Sequence, residues 1–380
     1  MDRKGKIAVT VTILVVLLVG LGVGFFSDSG TESIEAKVIG FDQFDNAVFN
    51  LTMDDFATID AGLGDDVCVT IGSDTVPAII CKNYNSIASF EGFLLMNDSG
   101  AHFGFFNYVL GKMIDVKIGD TATFTKAGRN PYVDKIPNYS KDISDDPSGF
   151  PSSDVFANFR AVNIGDITPN TVYRSASPWN SGVRAEYADG LYEEYGVDYL
   201  LCLNMVYDDA EQYAKMHPEY YVSKLFEEGK VTCESFSPQV HGNPEQTREF
   251  IDMYLETDGT IGIFCKLGRD RTGIYCAILE GLAGATYQEV RDDFMVTVCN
   301  YHHLEEGSEE YETVASMFID RDLYMLDHFE EIRNIRDIDW RSIDYEEYDP
   351  EEEFTSYLID YAGVEPEKVQ LVKEKLRGEA

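Results

Sequence analysis

Residues Ile261 to Gly273, IGIFCKLGRDRTG, limit what this chain can become more than any other stretch. An apolar run stops at Cys265, a loop holding Gly268 and basic side chains follows, and helical spacing resumes from Arg271. That order predicts a buried strand, a tight loop and a helix N-terminus. The five residues between Cys265 and Arg271 can wrap one anion with successive backbone N–H groups. The first turn of the helix adds unpaired donors and its positive dipole end. Arg271 offers a planar fork for two oxygens. The same donors stabilise a thiolate, which makes Cys265 a nucleophile near neutral pH. Thr272 is placed to hydrogen-bond that sulfur and Gly273 to let the helix pack closely. Lys266, Leu267, Gly268 and Arg269 complete the expected lining of the anion site.

This stretch resembles the signature loop of the protein-tyrosine-phosphatase superfamily. Its Lys-x-Gly-x-Asp-Arg-Thr-Gly form is most similar to the bacterial tyrosine/dual-specificity phosphatases that also accept phosphoinositides. Asn158-Phe159-Arg160 and Val172 to Pro178 look like the opening segments of that family, and the resemblance runs from about Phe156 to Arg377. It implies an α/β domain with a mostly parallel sheet flanked by helices. It further implies Cys265 as nucleophile, Arg271 on the phosphate and Asp270 as the acid. Spacing also favours Asp270, because the loop fixes that carboxylate close to a bound anion. The segment Ser235 to Glu245 holds no Asp, and its titratable alternatives are His241 and Glu245. Two positions depart from the family. Phe264 stands where His usually precedes the Cys, and Cys202-Leu203-Asn204 stands where Asp-Leu-Arg is usual.

The rest of the chain divides around this unit. Residues 1–6, which carry Arg3, Lys4 and Lys6, precede twenty uncharged residues, 7–26, with only Thr10 and Thr12 mildly polar, long enough to cross a bilayer as a helix. Their flanking charges predict a signal anchor with a cytoplasmic N-terminus and the catalytic domain outside the cell membrane. Residues 27–127 show brief alternating runs between turn residues, which predicts a small β-barrel. Asp42-Gln43-Phe44-Asp45-Asn46, Asn97-Asp98-Ser99-Gly100 and Gly119-Asp120 give it a resemblance to the C-terminal barrel of the S-adenosylmethionine hydroxide adenosyltransferases. Residues 128–151 read as a linker and 152–380 as the phosphatase domain with a helical end. Within that end, Glu305 to Glu353 reads as an acidic, solvated, mostly helical segment.

A net charge of −38 argues against nucleic acid as a partner. The basic loop is then a small positive island on an acidic surface. Seven cysteines do not make a disulfide scaffold. Cys68 and Cys81 read either as a pair or as two buried thiols, and Cys202 as either a resolving thiol for Cys265 or an inert core residue. Cys299, His302 and His303 read as structural residues rather than metal ligands. No metal or cofactor is expected, because loop and Arg271 already neutralise phosphate charge.

Three functions compete on these residues. The first is a cysteine-dependent phosphatase acting on a phosphorylated protein, a phosphoinositide or a small phosphate ester. The second is a membrane-tethered phosphate-binding module without turnover. The third makes the barrel the working part, as an adhesion or nucleoside-binding unit.

Overall fold

The computed structural model describes residues 32–238, 240, 243–328 and 348–379. Seven strands build a closed barrel: β1 (Ser33–Phe41), β2 (Ala47–Phe49), β3 (Asp65–Ile71), β4 (Asp74–Cys81), β5 (Gly92–Asn97), β6 (Gly100–Phe105) and β7 (Thr121–Arg129). Their order is β1-β2-β6-β5-β4-β3-β7, and β1 pairs with β7 to close the ring. Only β4 and β5 run parallel within it. The period-2 pattern explains the inside. Val67, Val69 and Ile71 of β3 and Ala122 and Phe124 of β7 are buried in alternation. Phe49 and Phe56 both meet Phe124 edge to face, with centroids 5.2 and 5.8 Å apart.

The second sheet has five strands: β8 (Arg160–Ala161), β9 (Val172–Ala176), β10 (Tyr199–Cys202), β11 (Val231–Cys233) and β12 (Ile261–Cys265). The order is β11-β10-β12-β9-β8. Strand β12 lies between β10 and β9, parallel to both, and only the edge strand β8 is antiparallel. All five residues of β12 are buried, as expected of a strand covered on both faces. Alternation sends Phe264 and Cys265 to opposite faces. Cys265 joins the core that holds the helices Pro244–Leu255, Asp270–Leu282 and Pro366–Leu376. Phe264 joins the other core, with Trp179, Cys202 and Cys233.

Several expectations change here. The fold class and the single-pass localisation are corrected in their membrane-spanning helix: among the described residues no helix is long and apolar enough to cross a membrane. The longest, Tyr287–His302, has 16 residues, against about 20 for a span. Ile7 to Phe26 itself lies outside the described residues. The seven cysteines are all free, so Cys68 and Cys81 do not pair. Cys202 sits in register with Phe264 and with Cys233. The sheet therefore separates it from Cys265, and it cannot act as a resolving thiol.

The acidic segment is not a solvated cover over its described part. Helices Glu309–Met317 and Ile319–Asp327 bury Met317, Phe318, Ile319 and Leu323. Met325 packs into the barrel's own core. Ser89 of the barrel donates its N–H to the Met317 carbonyl at 2.8 Å, and Arg321 donates back to the Ser89 carbonyl at 3.1 Å. From residues 128–151, Tyr139 is fully buried, and the N–H groups of Asn138 and Tyr139 donate to Glu310. One apolar cluster runs from Ile79, Phe93 and Phe106 of the barrel region through Phe318 to Ile263 and Tyr275. Barrel and second sheet are packed together, and the barrel touches the loop after β12.

Candidate functional site

Strand β12 delivers Cys265 to the end of the sheet, where it is 2% exposed, and the helix Asp270–Leu282 begins five residues later. The loop between them turns at Gly268, whose φ is +65°. A Cβ there would lie 2.2 Å from the Ser175 carbonyl oxygen, so glycine is needed for both conformation and space. Gly268→Ala is expected to cost about 2–4 kcal/mol, adding left-handed strain to a clash with backbone. A urea-unfolding midpoint equal to that of the parent protein would contradict this.

What shapes the loop is the set of groups holding its carbonyls outward. Ser177 N–H donates to the Lys266 carbonyl at 3.2 Å. The Tyr301 hydroxyl and Asn158 Nδ2 donate to the Leu267 carbonyl. Asn158 Nδ2 and Arg174 Nη2 donate to the Gly268 carbonyl at 3.2 and 3.0 Å. In a planar trans peptide the N–H points opposite to the C=O. Holding the carbonyls of Lys266 and Gly268 outward therefore turns the N–H groups of Leu267 and Arg269 inward. The Gly268 N–H makes a 3.3 Å bond to the Cys265 carbonyl.

Arg271, in the first turn, donates Nη1 to the carbonyls of Leu203 and Phe236, at 3.3 and 2.9 Å. Its buried Nε has no protein partner. A buried guanidinium nitrogen left unpaired beside a ring of amides is costly unless an anion fills the space. Thr272 is buried and its hydroxyl has no partner, so the expected bond to the Cys265 sulfur is not made. Gly273 lies under Phe294, where a Cβ would sit 2.7 Å from the ring. Lys266 is exposed and Leu267 half-buried.

Arg269 is placed differently from the expectation of an anion-facing cation. It is 7% exposed, its Nε donates to Asp270 Oδ1 at 3.1 Å, and its Nη1 donates to Asn85 of the barrel at 3.3 Å. Asp270, half-buried, thus sits at the first helical position with one oxygen on Arg269. Of the alternatives for the acid, Glu245 is exposed and His241 lies outside the described residues. Phe264 fills the place of the family's usual His by packing edge-on to Trp179 at 6.0 Å. The position is built as apolar core. Among the described residues no group of three or more His, Cys, Asp or Glu could hold a metal ion, and His302 instead packs on the Tyr139 ring.

Behind the loop lies an ion cluster that sequence reasoning missed. Asp293 takes Arg160 Nε on one oxygen at 2.8 Å and Arg174 Nη1 on the other at 2.5 Å. Burial works against the charge of Asp293, but Arg160 and Arg174 outweigh it and hold its carboxyl well below the usual range. Glu280, buried on the signature helix, is pushed the other way, by burial first and then by Asp293. The cluster fixes Arg174, and Arg174 fixes the Gly268 carbonyl. The available signal was an arginine inside the otherwise uncharged, fully buried run Val172–Ala176.

Residues 157–378, more than half of the chain, match the model of the tyrosine phosphatase family. The chain belongs to that family, and its class is therefore that of the phosphatases, hydrolases of phosphate esters. No curated relative matches it. Among solved structures, an uncharacterized conserved protein from Thermotoga maritima is 20% identical over 24% of this chain, with a TM-score of 0.23. The chain covers only 36% of that protein's length. The core catalytic domain of the PP-IP phosphatase SIW14 from S. cerevisiae, in complex with citrate, is 17% identical over 49% of this chain and 94% of its own, with a TM-score of 0.29. Neither likeness is close enough to carry an argument. The resemblance of the barrel to the adenosyltransferases finds no support in these comparisons.

Proposed function

We propose that the chain is a cysteine-dependent phosphomonoesterase working through a phosphocysteine. The observation that carries the reading is a Cys265 at a strand end, facing a loop whose carbonyls are held outward and an Arg271 with an unpartnered buried Nε. The Cys265 thiolate attacks phosphorus, forming the S–P bond as the P–O ester bond breaks. Arg271 and the inward amides bind the non-bridging oxygens, whose charge they match better in the transition state than in the ground state. Asp270 gives its proton to the leaving oxygen. Its carboxylate then takes a proton from the water that splits the S–P bond, releasing inorganic phosphate and restoring the thiolate. The substrates this chemistry serves are phosphorylated proteins of the phosphotyrosine or dual-specificity kind, phosphoinositides and small phosphate esters.

Acid-quenched single turnover with a labelled ester should leave one phosphoryl group on Cys265. Asp270→Asn should slow alkyl phosphates by about 100- to 10,000-fold and activated aryl phosphates little. Equal slowing of both would remove Asp270 from the acid role. A second reading rests on Phe264 and on the Asp270–Arg269 pair: phosphate binding without turnover. Binding of inorganic phosphate with no label on Cys265 would favour it.

A further inference from the structure

Between the barrel and the signature loop lies a cleft of about 220 Å³. Arg269 and Asp270 line it, and barrel residues that the proposed chemistry does not use form most of the rest. Tyr84, Phe93 and Phe106 make its wall. The rings of Tyr84 and Phe106 stack at 5.9 Å and 25°, and Phe93 stands edge-on to Tyr84 at 5.4 Å. Phe44, 39% exposed, also lines it. The two side-chain amides nearby are engaged elsewhere. Asn46 donates Nδ2 to Asp42 and Asn107 donates Nδ2 to Ser89. Among the described lining residues the one cation is Arg269, already paired with Asp270 and held by Asn85.

A ring-lined space of this kind favours a flat apolar guest. A polyol bearing several phosphates would have to leave water for a wall made mostly of ring faces, where the polar groups are the Tyr84 hydroxyl and two already engaged side-chain amides. The carboxyl proposed to protonate the leaving oxygen also lines the cleft. We propose that the barrel wall is the leaving-group pocket of the phosphatase, selecting esters whose phosphate sits on a planar aromatic ring over those on a polyol. This rests on the phosphomonoesterase reading for the position of the leaving group, and it assigns the barrel a direct part in substrate choice.

The test measures binding to the full chain carrying Cys265→Ser, so that turnover does not interfere. Phenyl phosphate, inositol 1-phosphate and inorganic phosphate are titrated calorimetrically against that protein, then against versions adding Phe44→Ala or Tyr84→Leu. Phe44 is exposed enough to be shortened without opening the core, and Leu keeps bulk at position 84 while removing the flat face. The preference for phenyl phosphate over inositol 1-phosphate is expected to be about tenfold or more, and to fall to about threefold or less in either variant. Affinity for inorganic phosphate and the melting midpoint should stay within error, which separates a lost wall from a lost fold. A preference unchanged in both variants, or inositol 1-phosphate binding the tighter, would overturn the assignment. If the parent protein turns over no ester while the binding preference appears, the phosphomonoesterase reading fails and the ring pocket stands.

Discussion

Cys265→Ser is expected to lower turnover of any phosphomonoester by at least about 10⁴-fold while leaving the fold intact. The two side chains are close in size, and Cys265 sits at a strand end with 2% exposure, so the exchange opens no cavity. The loss is chemical. Inward amides and the helix N-terminus favour a thiolate, but a serine hydroxyl is too weak an acid for the same dipoles to ionise. Binding of inorganic phosphate should survive, because its donors belong to the loop and to Arg271. A Ser variant retaining a tenth of the parent rate would remove the phosphocysteine from the mechanism.

Asp293→Asn is expected to cost about 3–5 kcal/mol in unfolding free energy. The change leaves Arg174, 1% exposed, and Arg160 without the carboxylate that both share. Activity should fall with stability, since Arg174 also holds the Gly268 carbonyl. The acid limb offers an independent reading. A carboxyl held low in the folded state stabilises the protein at pH above its unfolded value and loses that contribution as pH falls through its folded value. The parent protein should therefore lose stability more steeply than Asp293→Asn below about pH 4. Parallel acid limbs in the two proteins would show that the cluster contributes no net pairing energy.

Much of the site could be read from local spacing. Cys265, Gly268 and Arg271 lie within one strand, turn and helix start, where sequence distance and spatial distance nearly coincide. What escaped was held together by sequence-distant contacts. Arg160, Arg174 and Asp293 come from two strands and a helix, and no spacing rule links them. The same holds for Asn85, which meets Arg269 across 184 positions. The acidic stretch after Glu305 misled for another reason. Its charge suggested a solvated surface, yet the apolar residues between the acids, Met317, Phe318, Leu323 and Met325, decide where the helices go. Charge counts describe a whole segment, while packing depends on one face of it. Of the two readings of Cys202, the inert core residue stands and the resolving thiol fails on alternation: two cysteines near the ends of neighbouring strands can still be a sheet's thickness apart.

The helices from Glu309 to Asp327 carry a consequence for how the chain holds together once made. They arise after the signature helix in sequence, yet they place Met325 inside the barrel and tie Arg321 to the Ser89 carbonyl. Peptide continuity through residues 128–151 is thus only one of several connections between barrel and catalytic sheet. A nick in that stretch would leave two fragments that stay mated, much as a riveted joint outlasts a cut strap. Synthesis has an order as well. The barrel emerges first, and Met325, which packs into its core, follows nearly two hundred residues later.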